Sequence, residues 1–224
     1  MREEAAQPRT QEERTDVART RIRAAALELF GQDGYEATTL AAISLRAGYS
    51  RALAQYHYPN KAVLGAELLE ERIGRDIHVD LLACSAETAS ADAWAILKRH
   101  LDVVIGYYEG LHGEAPHGAR LRGEMALHQA AVSSSDPLLK DPVARLTALL
   151  IAGVEHILGI CRRDGFVRAD ADPHAVAVLY VHGIWGLALA LFANPGGERS
   201  IHSAWLQLGR LLDGLRTDNN KGEA

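Results

Sequence analysis

The sequence predicts an all-α protein, and three observations carry that reading. Apolar residues recur at three- and four-residue steps over most of the 224 positions. No segment alternates apolar and polar residues in the manner of a half-buried strand. Residues 38–61 spell two short helices joined by a tight turn, the pattern of a helix-turn-helix.

Taken in order, residues 1–15 hold Arg, Glu, Gln and Pro without an apolar run. They read as a flexible charged arm and not as a signal peptide. A first helix is expected from Asp16 to Gln32, with Ile22, Ala25, Ala26, Leu29 and Phe30 inward. Thr39 is placed to cap a second helix that carries Leu40, Ile43 and Ala47 on one face. Gly48 supplies the left-handed backbone for a sharp exit, Ser50 is the expected cap of a third helix, and Pro59 ends it. Asn60 then caps a fourth helix through Leu64, Leu68 and Ile73, ending near Leu82.

Residues 85–90 form a polar break, and a helix over 91–109 follows with Trp94, Leu97, Leu101, Val104, Ile105 and Tyr108. Residues 119–132 make a shorter, more polar helix. Apolar positions 139, 143, 146, 150, 154, 157 and 161 then alternate steps of four and three, a strong amphipathic signal. Pro173 can open the next helix at its first turn, and Asn194-Pro195-Gly196-Gly197 stops it. A last helix uses Ile201, Trp205, Leu208, Leu211 and Leu212. The expected organisation is an arm (1–15), a helix-turn-helix domain (16–62), a helical domain (63–216) and a polar tail (217–224).

Composition narrows the function. The chain carries a net charge of −5, too acidic for a general nucleic-acid coat. Residues 19–61 nevertheless hold six cations against three anions, so a mildly basic head sits on an acidic body. Cys84 and Cys161 have no metal-type neighbours and are expected to pack as small hydrophobes in a reducing cytoplasm. Residues 175–193 are uncharged and reach membrane-spanning length, but acidic residues flank them. They read as a helix buried by a core on one side and a subunit interface on the other.

Catalysis and metal binding find no footing. No nucleophile elbow, phosphate-cradling glycine loop or paired-carboxylate motif occurs. The ten histidines show no zinc-type spacing. No catalytic residue, metal or cofactor is assigned.

DNA recognition is better supported. Ala54 and Tyr58, four apart, are expected to pack against the first helix. This leaves Arg51, Ala52 and Leu53 at the groove-facing end, with Gln55, Tyr56 and His57 outward or sideways. Arg reads guanine through two hydrogen bonds, and Ala or Leu senses a thymine methyl. Lys61 opens a helix, where backbone N–H groups also attract phosphate.

Together Ile22, Ala25, Leu29, Phe30, Gly34, Tyr35, Thr39, Ile43, Ala47, Gly48, Ser50, Tyr56, His57, Lys61 and Leu64 resemble the N-terminal domain of the tetracycline-repressor (TetR) family. The resemblance covers about residues 17–66. Ser44, Ala52 and Gln55 depart from the family's usual Ala, Gly or Pro, and Tyr. The resemblance implies a dimeric bacterial DNA-binding regulator with a helical C-terminal domain. It assigns base reading to Arg51, Ala52 and Leu53, and phosphate contact to Thr39, Gln55, Tyr56, His57 and Lys61.

It also implies a ligand site between C-terminal helices, where Trp94, His100, Tyr107, Tyr108, Tyr180, His182 and Trp185 are candidates. The expected function is a repressor released from a palindromic operator by a small apolar effector. The alternative is a DNA-bound regulator that recruits a protein and takes no ligand. Dimerisation is expected through the helices at 136–162 and 173–192, with Leu187 and Leu191 at the seam. An uncharged or weakly polar effector is expected, since the pocket helices offer mainly aromatics, Leu and Val, and strongly anionic ligands are disfavoured because no inward Arg can be placed from the sequence.

Overall fold

The computed structural model describes residues 10–73, 76–110, 117–193 and 198–217. The described chain is helical: α1 (Gln11–Asp33), α2 (Leu40–Arg46), α3 (Leu53–His57), α4 (Lys61–Ile73), α5 (Asp76–Leu82), α6 (Ser90–Glu109), α7 (His117–Ser133), α8 (Pro137–Arg163), α9 (Pro173–Ala193) and α10 (Glu198–Asp213). The all-α expectation holds.

Helix α1 begins five residues before the expected start. The Thr10 hydroxyl accepts from the Glu13 N–H and the Glu13 carboxylate accepts from the Thr10 N–H, a reciprocal capping box. Residues 11–15 therefore belong to the first turns of α1 and not to an arm; the rest of the expected arm, 1–9, lies outside the described residues. Gly34 ends α1 at φ +83°, a backbone conformation open to glycine.

Helices α1 to α4 form the head. Ile22, Ala26, Phe30, Ile43, Ala54, Tyr58 and Leu64 are buried together, and a fully buried aliphatic or aromatic side chain contributes about 1.5–3 kcal/mol. This core does not stop at residue 62. Leu68 and Leu69 of α4, Leu127 and Ala131 of α7, and Leu139 and Val143 of α8 belong to it.

The head is also clamped to the body at a glycine crossing. A Cβ on Gly123 of α7 would overlap the Leu27 carbonyl of α1, and one on Gly31 would lie 2.9 Å from the Gly123 nitrogen. Only glycine permits the two backbones to approach this closely.

The body packs α5, α6 and α8 to α10 around a second core that includes Leu97, Leu101, Val154, Ile157, Tyr180 and Trp205. Leu191, expected at a subunit seam, is buried in this core instead, while Leu187 packs only partly against it. The outward side of α9 is instead Ala175, Leu179, His182, Gly186, Leu189 and Ala193, at steps of four and three. The stop at residues 194–197 lies outside the described residues. Val167 and Arg216 form an antiparallel bridge, and the Thr217 N–H donates to the Phe166 carbonyl at 3.1 Å. Thr217 is thus tied to the body rather than opening a free tail; 218–224 lie outside the described residues.

Candidate functional site

The helix-turn-helix is held by one buried hydroxyl. Ser44, fully buried in α2, donates through Oγ to the Ser50 carbonyl at 2.5 Å and accepts from the Ala54 N–H at 3.1 Å. Ser44 thereby supplies the capping bond of α3. The expected cap, Ser50, lies three residues before the helix, because residues 51–52 form a turn and Ala52 is the N-cap. Thr39 does cap α2, accepting from the Ala42 N–H at 3.1 Å, and Gly48 takes φ +83° in the turn.

Ala54 and Tyr58 are buried as expected. Their burial turns Arg51, Ala52, Gln55 and Tyr56 to solvent, with Leu53 and His57 half-buried. Tyr56 is 81% exposed, unusual for a side chain that gains so much from burial. These residues form one surface, and Thr39 at the start of α2 is also exposed.

Lys61 has a more internal position than the sequence suggested. Its ammonium donates to the Tyr35 carbonyl at 2.6 Å and the Glu36 carbonyl at 3.1 Å, above the Tyr35 ring. Burial lowers its pKa. Two of its three protons are therefore used to tie α4 to the loop between α1 and α2. Farther along α4, Glu67 accepts from Arg19 at 2.5 Å, Arg23 at 2.9 Å and the Tyr58 hydroxyl at 3.2 Å. Burial raises the Glu67 carboxyl, but hydrogen bonds from Arg23 and Arg19 more than offset this and hold it below its usual range.

The far end of α4 enters the body. Arg72 is 5% exposed, four residues beyond Leu68 on the buried stripe of the helix. It lines a cavity of about 20 Å³ together with His78, His100, Tyr108, Tyr180 and Trp185. His100 sits in a relay, with Nδ1 2.8 Å from the Tyr180 hydroxyl and Nε2 3.1 Å from His78 Nδ1. Burial pushes His100 down to about 4, so the ring is neutral at pH 7, and burial raises the Tyr180 hydroxyl. The Arg72 guanidinium lies 4.9 Å from the centre of the Trp185 ring, and its Nη2 donates to the Tyr108 hydroxyl at 3.4 Å.

Trp185 separates this cavity from a groove of about 310 Å³ between α7, α8 and α9. His128 stacks on it at 4.0 Å with the planes 8° apart. Burial, then the nearby Arg72 charge, pushes His128 down to about 3.

The structure thus brings together five of the seven ligand candidates, His100, Tyr107, Tyr108, Tyr180 and Trp185. Trp94 is elsewhere, buried against Phe166 at 5.9 Å as a core residue. His182 is exposed on the groove side, its Nδ1 2.9 Å from the Val178 carbonyl. Arg72, His78 and His128 were missed. A charge on the 64–68–72 stripe of α4 is the signal that marks Arg72, and it removes the premise for an uncharged effector. Among the described residues no three His, Cys, Asp or Glu gather as a metal would need.

Residues 22–68 match the family model for bacterial regulatory proteins, tetR family. Over the whole fold, the chain is similar to SmeT in complex with triclosan (TM-score 0.71, 22% identity, covering 90% of this chain and 92% of that one). It is also similar to NalD, the secondary repressor of the MexAB-OprM multidrug efflux pump of Pseudomonas aeruginosa (TM-score 0.63, 20% identity, 92% and 99% covered). A gamma-butyrolactone receptor, an ArpA-like protein, gives TM-score 0.65 at 21% identity, with 93% of each chain covered. No curated protein matches the sequence. The chain therefore carries, over residues 22–68, the N-terminal helix-turn-helix domain of the bacterial tetR regulatory family, on a helical body whose fold these structures share.

Proposed function

We propose that the protein is a homodimeric repressor that binds a near-palindromic operator and leaves it when a small molecule enters the body. The observation that carries this reading is the course of α4. One end is tied to the helix-turn-helix through Lys61 and Glu67, and the other places Arg72 at an aromatic cavity. A ligand that moves Arg72 therefore moves the helix on which the head is mounted. Two heads must match half-sites at a spacing set by the DNA repeat, so a small change in their separation lowers affinity.

Arg51, Ala52 and Leu53 read bases in this account, and Thr39, Ser50, Gln55, Tyr56 and His57 face the backbone. Lys61 keeps one proton for a phosphate while its other two hold the loop. The outward stripe of α9 supports pairing with a second copy, since its four-three spacing is that of a helix–helix seam. The same stripe on a monomer would favour the protein-recruiting alternative.

Similar proteins bound to triclosan or named as butyrolactone receptors support a small-molecule effector here. The test is selection of bound sites from genomic fragments. A two-fold symmetric motif protected by a dimer is expected; an asymmetric site bound by one copy would contradict the reading.

A further inference from the structure

We propose that the effector is an aromatic acid whose carboxylate is taken up by Arg72 and His128 at the Trp185 partition. This rests on the ligand-release reading above and names the chemical class of the ligand. Arg72 is buried, and its Nη1 has no hydrogen-bond partner. No carboxylate pairs with it among the described residues; its contacts are the Tyr108 hydroxyl and the Trp185 ring. A guanidinium cannot escape by losing its proton, and an apolar residue would pack the same space at less cost. A buried, uncompensated cation lining a cavity is the arrangement expected when the missing anion is the ligand.

A second orphan adjoins the first. The Nδ1 atom of His128 is buried and unpartnered, and the imidazole lies flat on Trp185. Either tautomer is open to a neutral ring, so Nδ1 can carry the hydrogen and donate to an oxyanion. Arg72 lines the inner cavity, His128 lines the outer groove, and Trp185 borders both.

Size divides the ligand between the two spaces. The inner cavity of about 20 Å³ holds little more than a water-sized group, whereas the groove of about 310 Å³ admits a ring system. Met125, Val132, Val143 and Leu189 give the groove apolar walls suited to an aromatic body. His182, Gly186 and Leu189 also lie on the α9 stripe, so a partner copy would roof the groove. A cation is repelled by Arg72, and a neutral molecule leaves Nη1 without an anion.

The test compares 2-naphthoate with 2-naphthamide, which share ring and shape and differ in charge. Binding is measured by calorimetry and thermal unfolding on the wild type and on Arg72→Met. Naphthoate is expected to bind at least about tenfold tighter than the amide, the scale of a charge-assisted hydrogen bond. Arg72→Met, relieved of an unpaired charge, should unfold at or above the wild-type temperature and bind both probes alike. Equal binding in the wild type, an acid preference that survives in Arg72→Met, or failure of both probes to bind would overturn the proposal. Operator release separates the two claims. Naphthoate bound through Arg72 with the operator complex intact keeps the acid site and sinks release. An amide that binds and releases operator as well as the acid keeps release and sinks the acid class.

Discussion

Ser44 shows how one side chain sets the reading surface. Its hydroxyl answers the Ala54 N–H and holds the Ser50 carbonyl, so the turn and the first residues of α3 are fixed by a group on α2. Ser44→Ala should leave the buried Ala54 N–H unsatisfied, at a cost of about 1–3 kcal/mol in urea unfolding. Arg51 should gain disorder with it, weakening operator binding beyond the loss of stability. His128 offers a cleaner substitution, since Phe preserves the stack on Trp185 and removes the orphan nitrogen. Its folded pKa, about 3, lies below the unfolded value of 6.5, so the unfolded state binds more protons between them. Stability is therefore lost as pH falls from about 6.5, by about 2 kcal/mol at pH 5 for a group shifted this far. His128→Phe should flatten that decline, and an unchanged slope between pH 6.5 and 4 would refute the assigned burial.

At the scale of elements, the outward stripe of α9 makes the sharpest prediction. Leu179→Arg, at a position 71% exposed, should abolish the proposed dimer by light scattering without changing helix content. Leu191→Arg should instead unfold the body, because Leu191 is 2% exposed in its core. Gly123→Ala should cost about 1–3 kcal/mol by forcing α1 off α7, seen as a lower melting temperature.

The long helices were legible because their apolar residues repeat every three or four positions, as from 139 to 161. The start of α1 was not read, although Thr10 and Glu13 have capping-box spacing, since no apolar residue accompanies them. The start of α3 was misplaced for a different reason. Its cap comes from Ser44, ten residues from Ala54, and no local pattern reveals a bond between two helices. The cavity was half legible: aromatic residues announced its walls, but Trp94 and Tyr108 share one stripe of α6, and only their places along that helix, against different neighbours, put Trp94 on Phe166 and Tyr108 beside Arg72.

Over the whole molecule, the head is joined to the body at the α1–α7 glycine crossing, along α4, and through Leu139 and Val143 of α8. Both α4 and α7 reach the Trp185 partition, through Arg72 and His128 respectively. A ligand there acts on α4 and α7 at once. Effector and operator should therefore weaken each other's binding by one common factor, a coupling of about 1–3 kcal/mol. Unequal factors in a closed binding cycle would show that the two ligands do not share a single conformational equilibrium.

Operator reading by α3 and the turn before it is the central element of the proposed function. It is tested most directly by measuring Arg51→Ala and wild-type affinities on the selected operator and on unrelated duplex at one salt concentration. The expected result is a loss of about 1–3 kcal/mol on the operator, relaxed preference at one base pair per half-site, and little change on unrelated DNA. Equal losses on both duplexes, or no loss on the operator, would contradict it.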